Sequence, residues 1–256
     1  MLKSIIKGAI FIIVLITIWG LLASSGLYSP LILPTPMQVF VKISLAFKND
    51  DLLGQILRSL KAVSLGLIIA MILTTLMIGG SKLIPGVDFI MSTLSALMHP
   101  LPGIAILPIF MIWFGLGEAA IIAVIVHSVI WPLYSNLTMG IKSIPDLYSQ
   151  VSRGFGLKGI KACYHVTLPS VLPYLLSGLR TGWARAWRAL ISAEMIFGAI
   201  GGGGGLGWFI FKNRVFMDTA GMFAGLIVVI CVGLIVERGV FDLIETKTLK
   251  KWGMMQ

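Results

Sequence analysis

The chain is 256 residues long, 57% hydrophobic and only 12% charged, with a formal net charge of +10 and a mean hydropathy of +0.99. A soluble domain of this length does not need that much apolar content, whereas repeated spans of ~20 apolar residues do. A β-barrel is set aside, because it would show ~10-residue alternating segments. The lysines and arginines lie scattered between apolar runs, a pattern that fits membrane orientation rather than nucleic-acid binding. Cys163, in a polar loop, and Cys231, inside a late apolar run, imply no disulfide or metal framework.

An all-α polytopic protein is therefore expected, a single transmembrane domain over residues 1–256 with about six spans. The first apolar run, residues 5–23, follows Lys3 and Lys7. It is too long for a signal-peptide core and lacks a convincing cleavage site, so it is expected to be a retained anchor. Tyr28 to Pro36 is a proline-punctuated turn region, and Met37 to Phe47 has the pattern of an amphipathic surface helix. The second span covers about 60–79 and closes at Gly79-Gly80. The third covers about 87–114 and is interrupted at His99-Pro100-Leu101-Pro102-Gly103. Proline removes helical hydrogen bonds, and unsatisfied backbone at membrane depth is tolerated only inside protein or along a cavity. Pro100, Pro102 and Pro108 therefore place this span beside a pathway. The fourth span is about 119–139, the fifth 168–197 and the sixth 219–236. Six spans put both termini on one side. Lys3, Lys7, Lys82, Lys142, Arg153, Lys158, Lys161, Arg238, Lys247, Lys250 and Lys251 share that side, against Lys42, Lys48, Arg58, Lys61, Lys212 and Arg214 opposite. The positive-inside bias puts both termini and the 146–165 loop in the cytoplasm.

Between the fourth and fifth spans lies a polar island, DLYSQVSRGFGLKGIKACYHVTLPSVLP, residues 146–173. Gly156 supplies a turn conformation, and Pro169 suits the first turn of a following helix, where its missing N–H costs nothing. Helix, turn and a second helix entering the membrane are expected. The spacing Gly156, Val166, Leu168, Pro169 resembles the coupling loop of ATP-binding cassette (ABC) importer permeases, Glu-Ala-Ala, three residues, Gly, nine residues, Ile-x-Leu-Pro. The triplet here reads Gln150-Val151-Ser152 and departs from the pattern. His99 to Pro108, Trp113 to Glu118, Gly178-Leu179-Arg180, Ala193-Glu194, Gly205-Leu206-Gly207 and Leu33-Pro34-Thr35-Pro36 are similar to the nitrate/sulfonate/taurine branch of that family. The resemblance implies a type I importer permease fold in a bacterial inner membrane. It also implies a cytoplasmic coupling helix in which Gln150, Val151, Ser152, Arg153, Gly156, Leu157 and Lys158 meet an ATPase. The chain has no Gly-x-x-x-x-Gly-Lys-Ser/Thr phosphate loop. Mg-ATP is thus expected on two separate ATPase subunits and no cofactor on this chain, which is expected to be a transport subunit rather than an enzyme. A second permease copy, identical or related, and an external solute-binding protein complete the implied partners, together with the lipid bilayer.

Charges inside the fifth span are the main candidates for function. Arg180, Arg185, Arg188 and Glu194 interrupt otherwise apolar sequence, and a mid-membrane charge costs at least ~2.5–3.5 kcal/mol on insertion scales. Arg185 and Arg188 share a helix face, and paired guanidiniums suit planar anions such as carboxylate, sulfonate or nitrate. The alternative is that the arginines pair with Glu118, Glu194 or backbone carbonyls and hold helices together. Glu118 is either a solvated loop carboxylate or a gate contact, and Glu194, late in its span, has as its structural alternative the acceptance of hydrogen bonds from the glycine-rich turn beyond it. The run Gly201 to Gly205, with Gly207 beyond it, is a mobile external gate, a close-packed re-entrant turn or a plain linker; Gly203, Gly205 and Gly207 are its gate candidates. Gly178-x-x-x-Gly182 and Gly221-x-x-x-Gly225 allow close helix approach, within the chain or between permeases. His99, His127 and His165 are isolated from one another and are expected to be packed or hydrogen-bonded rather than metal ligands. No nucleophile–base set or paired carboxylates appear. The function expected is therefore a permease for a small anion such as sulfonate, taurine, nitrate or bicarbonate. A self-sufficient secondary transporter is the rival, although it would be expected to show inverted repeats or midplane acids.

Overall fold

The computed structural model describes residues 2–198 and 204–250, and every regular element among them is helical. The first helix, α1 (Leu2–Ser24), is apolar nearly throughout, and only 6% of its membrane-length window is buried within the chain. Trp19 Nε1 donates to Pro34 O and its ring stacks on Phe223, tying the end of α1 to the proline-rich turn. Helix α2 (Pro36–Asn49) starts where the sequence turns from Pro34-Thr35 to Pro36. Thr35 accepts from Gln38 N, Gln38 accepts from Thr35 N, and Pro36 occupies the first turn. Two otherwise orphaned donors are thereby satisfied at once.

Helix α3 (Leu52–Leu83) contains the second expected span, and α4 (Val87–Met98) and α5 (Gly103–Phe114) flank the proline break. Helix α6 (Glu118–Lys142) carries the fourth, followed by the short α7 (Asp146–Gly154) and the single turn α8 (Ile160–Ala162). A π-helical turn, Cys163–Thr167, joins α8 to α9 (Leu168–Gly198), so the helix bearing the fifth span begins before Leu168. Helices α10 (Leu206–Val215) and α11 (Thr219–Leu234) follow. The chain then continues through a π turn (Ile235–Phe241), α12 (Asp242–Glu245) and a last π turn (Thr246–Lys250).

Among the described residues, four helices are long and apolar enough to cross a membrane: Ile6–Ser24, Leu52–Leu83, Glu118–Lys142 and Thr219–Thr248. The pair α4–α5 raises this to five if counted as one span, yet its halves are bent by 111°. The bend has a local cause. Pro100 and Pro102 donate no backbone hydrogen bond, and Pro102 is extended, at φ −64° and ψ 129°, whereas His99 before Pro100 stays in the right-handed α region. Helix α9 is 31 residues long, but Arg180, Arg185, Arg188 and Glu194 interrupt its apolar character. Of the six expected spans, it is the one that length and hydropathy alone do not identify.

Packing divides the chain into two compact units, residues up to Ser59 with Glu194–Cys231, and Leu60–Ala193 with the remainder from Val232. In the first, Val39, Leu52, Leu206, Phe209, Ile210 and Ala224 form the core, each almost fully buried. A side-chain carbon at Gly221 would strike Asn213, and one at Gly225 would approach Ile210 and Phe209, so this glycine pair seats α11 against α10. The core of the second unit is built from Leu107 of α5, Val124, Ile125, Val129 and Leu133 of α6, and Ala186 and Leu190 of α9. A carbon at Gly178 would lie 3.0 Å from Leu133 Cδ1, and one at Gly182 2.9 Å from Val129 Cγ1. Both small-residue pairs therefore serve packing within the chain, where backbones must approach closely.

Candidate functional site

The break between α4 and α5 opens one wall of a cavity of about 450 Å³ in the second unit. Helix α6 contributes His127, Ser128 and Trp131 to the lining, and α9 contributes Arg185, Arg188, Ala189 and Ser192. Helical spacing explains the composition, since residues three and four apart share a face. Gly103 allows the approach: a side-chain carbon there would collide with Ser128 Oγ and come within 3.4 Å of Ala189 Cβ.

Arg185 donates from Nη1 to His99 O at 3.1 Å and from Nη2 to His99 Nε2 at 2.9 Å. A guanidinium has no acceptor, so His99 Nε2 must offer its lone pair and the proton of the neutral ring sits on Nδ1. Arg188 donates its Nε to Ala184 O at 2.9 Å and is otherwise exposed to the cavity side. Among the described residues, neither Arg185 nor Arg188 forms an ion pair with a carboxylate. Arg180 stands apart from both. Its Nη2 lies 2.7 Å from Asp242, its Nη1 3.2 Å from Glu245 and its Nε 3.8 Å from Glu237. The sequence-based grouping of three arginines is thus divided: two border the cavity, while the third meets three carboxylates of the C-terminal segment.

The proposed coupling segment also has its own geometry. Gly156 has φ +71°, and Gly156 N donates to Arg153 O at 3.0 Å while Leu157 N donates to Ser152 O at 2.9 Å. This is the paired 5→2 and 6→1 arrangement that ends helices at a left-handed residue. Of the candidate residues, Gln150, Val151, Arg153, Gly156 and Lys158 are exposed, Leu157 is half-buried and Ser152 is buried. Leu147, Tyr148, Val151, Phe155 and Leu157 line an apolar hollow of about 420 Å³ with Val166 and Pro169. Phe155 is 80% exposed.

Within the first unit, Glu194 is 5% exposed and Ser59 fully buried. Ser59 Oγ donates to the Glu194 carboxylate at 2.8 Å and accepts from Leu206 N at 2.9 Å, and Gly207 N donates to Glu194 Oε2 at 2.8 Å. Arg58 Nε adds a bond to Gly204 O at 3.2 Å. The described end of the glycine-rich stretch, Gly204 to Gly207, is therefore clasped to a serine and a carboxylate. Gly203 lies outside the described residues. Glu118 is exposed in the first turn of α6, where a negative charge favours the helix dipole.

Sequence patterns gave no functional role to His127 or Trp131. His127 is 7% exposed, and neither of its ring nitrogens has a partner among the described residues; nor does Trp131 Nε1. Their spacing of four on one helix face was the available signal.

A family model described as binding-protein-dependent transport system inner membrane component matches residues 62–249. The chain belongs to this family. The taurine transport system permease protein of Escherichia coli (strain K12) is 30% identical over 231 residues, covering 88% of this permease and 82% of its relative. The nitrate import permease protein of Synechocystis sp. (strain ATCC 27184 / PCC 6803 / Kazusa) is 30% identical over 247 residues, covering 92% and 86%. A putative aliphatic sulfonates transport permease protein of Bacillus subtilis (strain 168) is 28% identical over 247 residues, covering 95% and 87%. The permease is thus an ABC importer permease subunit of the nitrate/sulfonate/taurine type, as the motif order led one to expect. The secondary-transporter alternative does not fit that family.

Proposed function

We propose that the permease forms the translocation path for a small oxyanion, handed over by an external binding protein and moved at the expense of ATP on a separate ATPase. The observation that carries this reading is the cavity bordered by Arg185 and Arg188, two guanidiniums without a carboxylate partner among the described residues. An uncompensated cation inside a membrane helix is costly, and an anion passing through the cavity offsets that cost. The relatives' names agree in substrate chemistry: taurine, aliphatic sulfonates, nitrate and bicarbonate all present oxyanions.

In this reading two permease subunits enclose the path, and each presses its 146–165 loop onto one of two ATPases carrying Mg-ATP. Closure of the ATPases tilts the attached helices as rigid bodies. Both termini lie in the cytoplasm, on the ATPase side of the inner membrane. Gln150, Val151, Arg153 and Lys158 are the contacting residues, and Gly156 sets the angle between α7 and the helix that follows. The glycine turn at Gly205 and Gly207, held by Glu194, is the outer gate region, with Glu118 as a further gate candidate.

The decisive experiment reconstitutes the permease with its ATPase and binding protein in liposomes and follows ATP-dependent uptake of taurine, nitrate and bicarbonate. Uptake of at least one is expected, strictly dependent on ATP. Transport by the permease alone, driven by an ion gradient, would overturn the reading. Gly156→Ala provides a second check, because alanine in a left-handed conformation costs about 1–2 kcal/mol. Its complex is expected to retain less ATPase on affinity purification, whereas wild-type recovery would remove Gly156 from the coupling role.

A further inference from the structure

The cavity contains polar groups that the arginine reading does not use. His127 is more than nine-tenths buried and lines the cavity, yet both of its ring nitrogens are unpaired among the described residues. Trp131 lines the same cavity with Nε1 buried and unpaired. The two rings meet edge to face at 6.0 Å, and Phe110 closes against His127 at 6.2 Å. That packing holds the rings without satisfying the nitrogens. A buried donor or acceptor left without a partner costs about 1–3 kcal/mol, so two neighbouring cavity-lining residues with three such atoms just behind the cavity surface call for a polar occupant that the rings turn to meet. A neutral imidazole supplies one N–H and one acceptor, and indole supplies one N–H.

The arginines are partly committed elsewhere. Arg185 already spends two donors on His99, and Arg188 turns its Nε back to Ala184. They bring positive charge to the cavity, while His127 and Trp131 bring neutral donors. That division suits transit, because two free guanidiniums gripping an anion would release it slowly, whereas neutral N–H groups hold it more weakly.

We propose that His127 and Trp131 form a specificity-determining subsite whose N–H groups bind the oxygen atoms of a small oxyanion held in the field of Arg185 and Arg188. The proposal rests on the translocation reading above and adds to it the residues that sort one oxyanion from another. Taurine and methanesulfonate carry a tetrahedral head group and an organic tail, while nitrate is planar and bare. A cavity of about 450 Å³ falls in the size range of small-molecule sites and exceeds what bare nitrate fills. The subsite therefore favours the sulfonates.

The chain has three histidines, so ring-labelled histidine NMR of the full-length permease in nanodiscs gives a spectrum simple enough to assign with His127→Gln. Titration with taurine or methanesulfonate is expected to move the His127 ring-nitrogen resonances, and nitrate is expected to move them only at higher concentration. In the assembled transporter, His127→Leu is expected to raise the half-saturating taurine concentration about tenfold, with His127→Gln restoring most of the loss because it keeps a donor and an acceptor. Trp131→Phe, which keeps a ring and drops the N–H, is expected to shift the ratio of taurine to nitrate uptake. If the transporter carries an oxyanion but none of the three probes moves the His127 resonances, and His127→Leu and Trp131→Phe transport like wild type, the subsite is refuted and the translocation reading stands. If the wild-type transporter carries no oxyanion at all, the translocation reading itself has failed, and the subsite falls with it.

Discussion

Arg185→Ala is expected to reduce oxyanion uptake by the reconstituted transporter about 10- to 100-fold while the complex still assembles. The magnitude is that of one charge-assisted hydrogen bond, because the two that Arg185 makes, to His99 O and His99 Nε2, anchor the same residue and are not additive. Each such bond is worth about 1.5–3 kcal/mol, where 1.4 kcal/mol is tenfold. Because the partners sit at the break between α4 and α5, the substitution acts on the wall of the cavity as well as on its charge. Arg185→Lys separates these two effects. It keeps the positive charge but cannot reproduce the two-point fork, so its uptake is expected to fall between wild type and alanine. Initial uptake rates in proteoliposomes, set beside size-exclusion profiles of the purified complex, make the measurement. Normal uptake by both Arg185→Ala and Arg188→Ala would remove the arginines from the path.

Glu194→Ala and Gly205→Ala are each expected to loosen the first unit enough to lower its thermal unfolding temperature in detergent. Removing the carboxylate leaves the Ser59 hydroxyl and Gly207 N–H without their acceptor, at about 1–3 kcal/mol for each buried group. One effect opposes this. A carboxylate in a membrane helix costs about 2.5–3.5 kcal/mol to insert, so its removal helps the helix enter the bilayer. The unfolding measurement starts from the inserted, packed protein, where the missing hydrogen bonds dominate. Gly205→Ala tests the same clasp from the other side. Its φ of −88° is negative, so the main damage comes from the new methyl group meeting Ser59 Oγ and Glu194 Oε1. Glu194→Gln, which retains an oxygen acceptor, is expected to be milder. Unchanged unfolding in Glu194→Ala and Gly205→Ala would show that the turn holds without the clasp.

Local features carried most of what could be foreseen. Hydropathy indicated the helical class, Pro34-Thr35-Pro36 marked the start of α2, and the position of Gly156 marked a turn that the structure closes with a left-handed residue. The prolines at 100 and 102 indicated an interruption, but nothing in their spacing gives an angle of 111°, which depends on what packs on either side. The partners of the arginines were not legible either. Arg180 meets Asp242 and Glu245, which lie 62 and 65 residues further along, and no periodicity links positions that far apart. For Glu194, a hydrogen bond from the glycine-rich turn beyond it was legible, and Gly207 N makes one, but Ser59, 135 positions away, was not. The histidines were judged by their mutual isolation, a test suited to metal sites. It overlooks a lone ring whose nitrogens have nothing to bind.

The π-helical turn at Cys163–Thr167 bears on how α7 and the arginines of α9 are set relative to each other. Each residue of a helix advances about 100° around the axis, and a π turn accommodates one residue more than an α turn. The azimuth at which Arg185 and Arg188 point is therefore referenced, through this widened turn, to the direction of α7. Shortening it by a residue would leave every contact around the arginines nameable and yet aim them a quarter-turn or more away from their present bearing on α7.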